Sequence, residues 1–152
     1  MYYRDLSVYR YNEELTSDSV RNVGWLSQSH GYAQGDVPEA FVERLWIFCR
    51  SSVLPYMGFH QCPFCEKDMG FLSQRGDETM ALGSAEVWAL GRNGMLYAAP
   101  NLIYHYITEH HYRPPEEFIQ AIMEGPLPPE PYTDEYFEFG AAPNNLAHWQ
   151  RS

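Results

Sequence analysis

The sequence predicts a small single domain of the α+β class, with a β-hairpin or small antiparallel sheet and two to three helices. Apolar residues recur at helical spacing in several segments, and an Asn-Gly pair separates two strand-like runs. A C-x-x-C pair is followed by two histidines in zinc-finger order. The length suits one domain, which we predict at residues 1–125, followed by an acidic, proline- and aromatic-rich extension at residues 126–152.

The composition predicts a folded protein. Apolar residues make up 45% of the chain and aromatic residues 16%, which argues against disorder throughout. No segment approaches the roughly 18 apolar residues that cross a bilayer, and the start of the chain lacks the basic and apolar regions of a signal peptide. Three cysteines are an odd number, which disfavours a disulfide framework. We therefore expect a cytoplasmic protein with no membrane partner.

The charge of the chain limits its partners. Asp and Glu number 20 against 10 Lys and Arg, so the formal net charge is −10. Residues 114–150 carry seven acidic side chains and no Lys or Arg. Because phosphate backbones are repelled by such a chain, we expect no nucleic-acid partner. A basic protein partner and simple solubility are both compatible with this charge.

The first helix is predicted within DVPEAFVERLWIFCRSS, residues 36–52. We expect Asp36 as the N-cap, Glu39 as its capping-box partner and Pro38 in the first turn. Cys49 is expected to be a buried small hydrophobic residue and not a reactive thiol. Pro55 is expected at or just after the end of the helix. The apolar residues that recur at near-helical spacing are Phe41, Leu45 and Phe48.

Strands are predicted on both sides of turn residues. The Asn93-Gly94 pair predicts a hairpin with strands at about 84–90 and 95–99, because both residues tolerate positive φ. A further short strand is expected near Val23–Leu26.

Two more helices are predicted after the hairpin. NLIYHYITEHHY, residues 101–112, has helical spacing and stops before the Pro114-Pro115 pair, since a residue before proline avoids the helical conformation. The stretch PEEFIQAIMEG has proline and two glutamates in its first turn and is expected to end at Gly125.

The motif GFHQCPFC places Cys62 and Cys65 in one C-x-x-C turn, which supplies two thiolates to a tetrahedral Zn²⁺. We expect His105 and His110 to complete the site, because four residues separate them. On an ideal helix these two side chains lie about 140° apart, so both reach one ion only if the helix is distorted or ends at His110.

Alternatives remain at each position. His111 and His60 are the reserve ligands, while His30 and His148 are expected to bind no metal. The two cysteines could instead be a redox pair or two buried thiols, and a histidine on an apolar face is often a core residue.

The predicted Zn²⁺ is structural, since four protein ligands close its coordination sphere. A hydrolytic site keeps a position for water and needs a general base. Glu109 is the only carboxylate well placed for that role, and it forms no H-E-x-x-H motif. We therefore expect no catalytic residue. The alternative is a zinc-dependent hydrolase or transferase with Glu109 as general base.

Other activities lack their motifs. The chain contains no G-x-S-x-G, no G-x-x-x-x-G-K-[ST] and no G-x-G-x-x-G after a strand. A DNA-reading helix would expose basic or amide side chains, whereas the helix with the histidines offers an acid and aromatic residues.

Five stretches resemble a family of small bacterial proteins known as a domain of unknown function. They are YRDLSVYRY, NVGWLSQSHGYAQGDVPEAFVERLW, GFHQCPFC, GSAEVW and YAAPNLIYHYITEHHYRPPEEFIQAI, which together span residues 2–122. The resemblance implies a compact bacterial cytosolic domain with metal-binding positions at Cys62, Cys65, His105 and either His110 or His111. It implies no activity.

These observations favour a non-enzymatic, zinc-binding protein-interaction domain. Small acidic cytosolic bacterial proteins without catalytic motifs often bind other proteins, and immunity proteins that neutralise a toxin domain are one such class. This analogy makes an immunity protein a candidate, with a toxin domain as its partner. A regulatory module, in which zinc occupancy or cysteine oxidation switches partner binding, is a further alternative.

Overall fold

The computed structural model describes residues 2–9, 19–51, 61–65, 72–92 and 94–128, and these residues form an α+β fold as predicted. The elements in chain order are β1 (Val20–Asn22), α1 (Glu39–Arg50), β2 (Leu72–Arg75), β3 (Glu78–Ala81), β4 (Glu86–Leu90), β5 (Leu96–Pro100), α2 (Ile103–His110) and α3 (Glu116–Glu124).

The larger sheet has the strand order β1-β5-β4. β4 and β5 pair antiparallel, with Trp88 opposite Ala98, and this confirms the predicted hairpin. Gly94 in the connecting turn has a φ of 80°, which glycine adopts without strain, while Asn93 lies outside the described residues. β1 pairs parallel to β5, with Arg21 opposite Tyr97, so the hairpin shares a sheet with the N-terminal part of the chain.

The strand predicted near Val23–Leu26 is wrong in position, because β1 ends at Asn22. Gly24 has a φ of 78° and turns the chain out of the strand. Its backbone N–H donates to Asp5 Oδ1 at 2.9 Å, so a bond to a side chain takes the place of a hydrogen bond to a neighbouring strand. The sequence pattern missed the turn because the surrounding residues are apolar and buried.

α1 begins at Glu39, and the predicted capping box is wrong. Pro38 occupies the N-cap with extended backbone, no side chain caps the helix, and the N–H of Phe41 donates to the Pro38 carbonyl. Asp36 is exposed and lies outside the helix. Glu39 forms an ion pair with Arg75 of β2, so a tertiary contact takes the side chain that the capping box needs.

The apolar face of α1 packs onto α3 and β4 as its spacing predicts. Phe41 meets Phe118 of α3 edge to face, with ring centroids 6.2 Å apart. Cys49 is 3% exposed, which confirms the expectation of a buried residue. α1 ends at Arg50, and Pro55 lies outside the described residues.

A second hairpin, formed by β2 and β3, was not predicted from the sequence. Its strands alternate between half-buried and exposed residues, and they carry few apolar side chains. The hairpin is attached to α1 through Glu78, which accepts hydrogen bonds from Trp46 at 3.0 Å and from Arg50 at 2.8 Å. Gly76 in its turn has a φ of 60°.

The core lies between the larger sheet and the helices. The largest fully buried side chains are Tyr9, Tyr112, Phe41, Phe48, Phe118, Leu45, Leu82, Leu96, Leu102, Ile103 and Ile122. None of the helices in the described part of the chain has the length and apolar character that a bilayer crossing requires.

We predict that Gly24→Ala destabilises the fold more than Gly94→Ala. The two glycines have nearly equal φ values, 78° and 80°, so alanine would be under similar backbone strain at both positions. A Cβ at position 24 would lie 2.8 Å from Ile103 Cδ1, whereas nothing lies within 4 Å at position 94. We expect an additional loss of about 1–3 kcal/mol in the free energy of unfolding, measured by urea titration. Equal losses in the two variants would contradict the close packing of Gly24 on Ile103.

Candidate metal centre

The structure brings together Cys62, Cys65, His105 and His110. Their ligand atoms all lie within 4.8 Å of one another. Cys65 Sγ is 3.2 Å from His105 Nε2 and 3.4 Å from His110 Nε2, and Cys62 Sγ is 3.4 Å from the same atom of His110. Among the described residues this group could hold a metal ion.

The cysteines are presented by a short turn whose backbone points at the sulfurs. The N–H of Cys65 donates to the Cys62 carbonyl at 3.4 Å, which closes the turn. The N–H of Phe64 is directed at Cys62 Sγ, also at 3.4 Å. A backbone donor aimed at a sulfur favours its thiolate form, the form that binds metals. The Gln28 side chain donates to the Pro63 carbonyl and attaches the turn to the 25–28 segment.

Both histidines lie on α2, the helix on which the sequence predicts them. His110 is the last residue of the helix, and His111 follows with a φ of 59° in the left-handed conformation. The helix is therefore shorter than the predicted stretch 101–112, and it ends at His110, which is one of the two conditions set for both histidines to reach one ion. Both imidazoles face the cysteines, with ring centroids 5.0 Å apart and ring planes at 72°. His105 is buried and His110 is half-buried.

Residues 32–35 hold the end of α2 in place. The Tyr32 hydroxyl donates to the His110 carbonyl at 2.9 Å. The N–H of Gly35 donates to the His111 carbonyl at 3.1 Å, and the N–H of Arg113 donates to the Ala33 carbonyl at 2.9 Å. The first two bonds satisfy carbonyls that the helix end leaves free, and the third attaches the chain after the helix to the same segment.

Burial shifts the pKa of Cys62, His105 and His110. It raises the pKa of the Cys62 thiol to about 11, and the adjacent Cys65 adds to the increase. Burial also lowers the pKa of both His105 and His110, against a smaller opposing effect of the Glu109 carboxylate. At neutral pH the imidazoles therefore offer free electron pairs, while the Cys62 thiol must release a proton to bind a metal.

The donor set fits a tetrahedral metal ion. Metal–sulfur and metal–nitrogen bonds of about 2.3 and 2.05 Å at the tetrahedral angle place S and N about 3.6 Å apart. The three S···N distances in the protein, 3.2 to 3.4 Å, are close to this value. Thiolate and imidazole are also the ligands that Zn²⁺ prefers, whereas Mg²⁺ and Ca²⁺ select oxygen.

The other candidates lie elsewhere. His111 is exposed beyond the helix end and outside the group of four, while His60 and His148 lie outside the described residues. His30 stacks on the Tyr2 ring at 3.8 Å and bonds to Ser27 Oγ at 2.7 Å, away from the cysteines.

An exposed carboxylate and two packed aromatic rings lie outside the four clustered donors. Glu109 is exposed on α2 and is not one of the clustered donors. Sequence reasoning missed Tyr32 and Phe64, whose rings pack together with centroids 5.2 Å apart beside His110. Phe64 could have been predicted to lie near the metal donors, because it directly precedes Cys65 in the C-x-x-C motif. No local sequence pattern predicts that Tyr32 lies there.

A family model described as "Domain of unknown function (DUF7919)" matches residues 1–123. The chain belongs to this family. The match covers all four clustered side chains and most of α3, and it confirms the resemblance to a domain of unknown function. The bacterial origin implied by the motifs and the domain boundary at residue 125 stay predictions. No curated protein and no solved structure matches the DUF7919 chain.

We predict that His110→Ala lowers Zn²⁺ affinity by at least about 100-fold, because it removes one of the four donors. His111→Gly should leave the affinity unchanged within about twofold, since the side chain is outside the group. It should also raise the free energy of unfolding by up to about 1 kcal/mol, because glycine suits the left-handed conformation. Competition with a chromophoric chelator measures both affinities. Equal loss of Zn²⁺ in the two variants would contradict the choice of His110.

Proposed function

We propose that this DUF7919 chain is a non-enzymatic protein-interaction domain of the cytoplasm, stabilised by one structural Zn²⁺ on Cys62, Cys65, His105 and His110. The observation that carries the proposal is the convergence of two sulfurs and two imidazole nitrogens within 4.8 Å. When bound, Zn²⁺ supplies a fixed tetrahedral crosslink between the turn and the helix.

A structural role is supported by the number of protein donors. Four protein ligands complete a tetrahedron, whereas catalytic zinc sites keep one position for water or substrate. The donors come from sequence positions 40 to 48 residues apart, so one ion closes a long loop across the fold. Structural zinc sites in small fingers contribute about 10–16 kcal/mol of apparent binding free energy, which is comparable to the stability of a whole domain.

We predict that chain purified without a metal-affinity tag contains about one Zn²⁺, and that Cys62→Ser abolishes this content and lowers the free energy of unfolding by at least about 3 kcal/mol. The reason is that serine replaces the sulfur of Cys62, one of the four metal ligands, with a hydroxyl oxygen. Elemental analysis and urea titration measure the two quantities. Cys49→Ala is the matched control, because Cys49 is buried but lies outside the metal group. Unchanged zinc content in Cys62→Ser would refute the ligand set.

The second candidate is a zinc-dependent hydrolase or transferase that uses Glu109 as its general base. It is favoured by the position of Glu109 on α2, directly before the candidate ligand His110. Glu109→Gln separates the two functions, since it leaves the four donors in place. A structural site predicts unchanged zinc content, stability and partner binding. If the unaltered chain has a measurable hydrolase or transferase activity and Glu109→Gln loses it while keeping its zinc, the catalytic alternative is established.

The partner that we propose is a basic protein surface. The net charge of −10 supports this choice, because opposite charge accelerates association and selects against acidic partners. An immunity protein, which covers the active site of a toxin domain, is one role that suits a small acidic domain. The acidic segment after Gly125 adds four carboxylates, from Glu130 to Glu138, and five aromatic side chains.

We predict that truncation after Gly125 reduces partner recovery by at least about fivefold in affinity purification, because it removes acidic and aromatic groups together. The intact chain is the reference, and zinc content of both forms checks that the metal centre is retained. Equal recovery of every partner by the two forms would exclude the C-terminal segment from the interaction.

A further inference from the structure

A groove with a volume of about 550 Å³ lies between α3 and the turn that joins β4 to β5. Its size is in the range of ligand sites in proteins, about 300–1,000 Å³. The groove contains none of the four clustered metal donors. It is therefore a separate feature of the surface, which the zinc proposal does not explain.

One end of the groove depends on a glycine. A Cβ on Gly125 would lie 2.5 Å from the Leu90 carbonyl oxygen and 2.5 Å from the Ala121 carbonyl oxygen. Only glycine therefore permits α3 to end this close to β4. The same contact sets the position of the helix face along the groove.

Polar groups without partners line the groove. Tyr97 is 4% exposed, and its hydroxyl has no hydrogen-bond partner in the described part of the protein. Glu117 and Gln120 also line the groove, and among the described residues neither makes a hydrogen bond or an ion pair. Burial and the nearby Glu117 carboxylate both raise the pKa of Tyr97, so its hydroxyl is a donor at neutral pH. Glu117 and Gln120 are exposed, so the groove offers a ligand the hydroxyl of a buried tyrosine beside a solvent-accessible carboxylate and amide.

The α3 side of the groove presents two carboxylates on one face of the helix. Glu117 and Glu124 both line the groove and are seven residues apart, which is about 10.5 Å along the helix axis. Glu124 is paired with Arg92 at 2.6 Å, but the two side chains are 44% and 76% exposed. An exposed pair of this kind contributes little free energy, so a competing cation can replace Arg92.

We propose that this groove binds an extended basic segment of a partner protein, with two arginines three residues apart that contact Glu117 and Glu124. The proposal rests on the protein-interaction role argued above and names the chemistry of the partner. In the extended polyproline II conformation a chain has three residues per turn and rises about 3.1 Å per residue, so two arginines three residues apart lie on the same side, about 9.3 Å apart, which is close to the spacing of the two carboxylates. Arginine is preferred because its planar guanidinium bonds to a carboxylate through two N–H groups.

The remaining free groups suit the backbone of such a segment. The Tyr97 hydroxyl can donate to a peptide carbonyl, and the Gln120 amide can both donate to and accept from a peptide group. Nucleic acid does not suit the same groove, since its phosphates would meet the Glu117 carboxylate.

The test uses two fluorescein-labelled peptides, Arg-Gly-Gly-Arg and Arg-Arg-Gly-Gly, with the full chain. Both carry the label at the N-terminus and an amide at the C-terminus, so neither terminus is charged. Anisotropy titration at low salt should show that Arg-Gly-Gly-Arg binds about three- to tenfold more tightly, because the two peptides have the same charge but different spacing. Glu117→Gln should weaken its binding about five- to tenfold, and Tyr97→Phe about two- to fivefold.

Glu116→Gln is the matched control. It changes the net charge equally at the neighbouring position, but Glu116 pairs with Arg113 and does not line the groove. Its effect should stay within about twofold. Equal weakening by the Glu116 and Glu117 variants, or equal binding of the two peptides, would overturn the proposal in favour of general charge attraction.

Zinc content of the same samples separates this proposal from the structural zinc proposal. The predicted peptide pattern in a sample without zinc supports the groove and refutes the zinc centre. A sample with about one zinc per chain and no peptide binding refutes the groove alone.

Discussion

The convergence of the Cys62–Cys65 turn and the end of α2 is the contact on which the candidate site depends. Each side contributes two donors, so neither side can complete a tetrahedral site by itself. The turn is also held by Gln28 and the helix end by Tyr32, and both of these belong to the segment before α1. The site therefore joins three distant parts of the sequence.

The end of α2 is as important as the donors that it carries. His105 and His110 are five residues apart, which is about 140° around the axis of a regular helix. His111 adopts the left-handed conformation and the helix stops at His110, and both imidazole nitrogens lie within 3.4 Å of the Cys65 sulfur. The Gly35 N–H then donates to the His111 carbonyl, and the Arg113 N–H donates to the Ala33 carbonyl, so residues 33–35 hold the chain after the helix. The break in regular structure comes directly after the last donor, and the bonds around it hold that end of the helix beside the cysteines.

Charge is distributed unevenly over the described surface. Arg50, Arg75, Arg92 and Arg113 each form ion pairs with acidic side chains, and most of these pairs attach one element to another. Glu117 lacks such a partner in the described residues, and it lies at the groove beside α3. Glu117 therefore contributes negative charge at the groove that no described ion pair neutralises, and it is not one of the metal donors.

The sequence by itself determined the features that depend on neighbouring residues: the hairpin at Gly94, the helix that ends at Gly125, the C-x-x-C turn and its histidine pair. Turn chemistry and helical spacing are local, so a single sequence reveals them. Only the tertiary structure decided that β1 lies parallel to β5 and that β2 and β3 form a hairpin against α1. It also decided that Glu39 pairs with Arg75 instead of capping α1, and that His110 faces the sulfurs while His111 faces solvent. These outcomes arise from contacts between residues far apart in the chain, whose free energies exceed the small local preferences that a sequence pattern records.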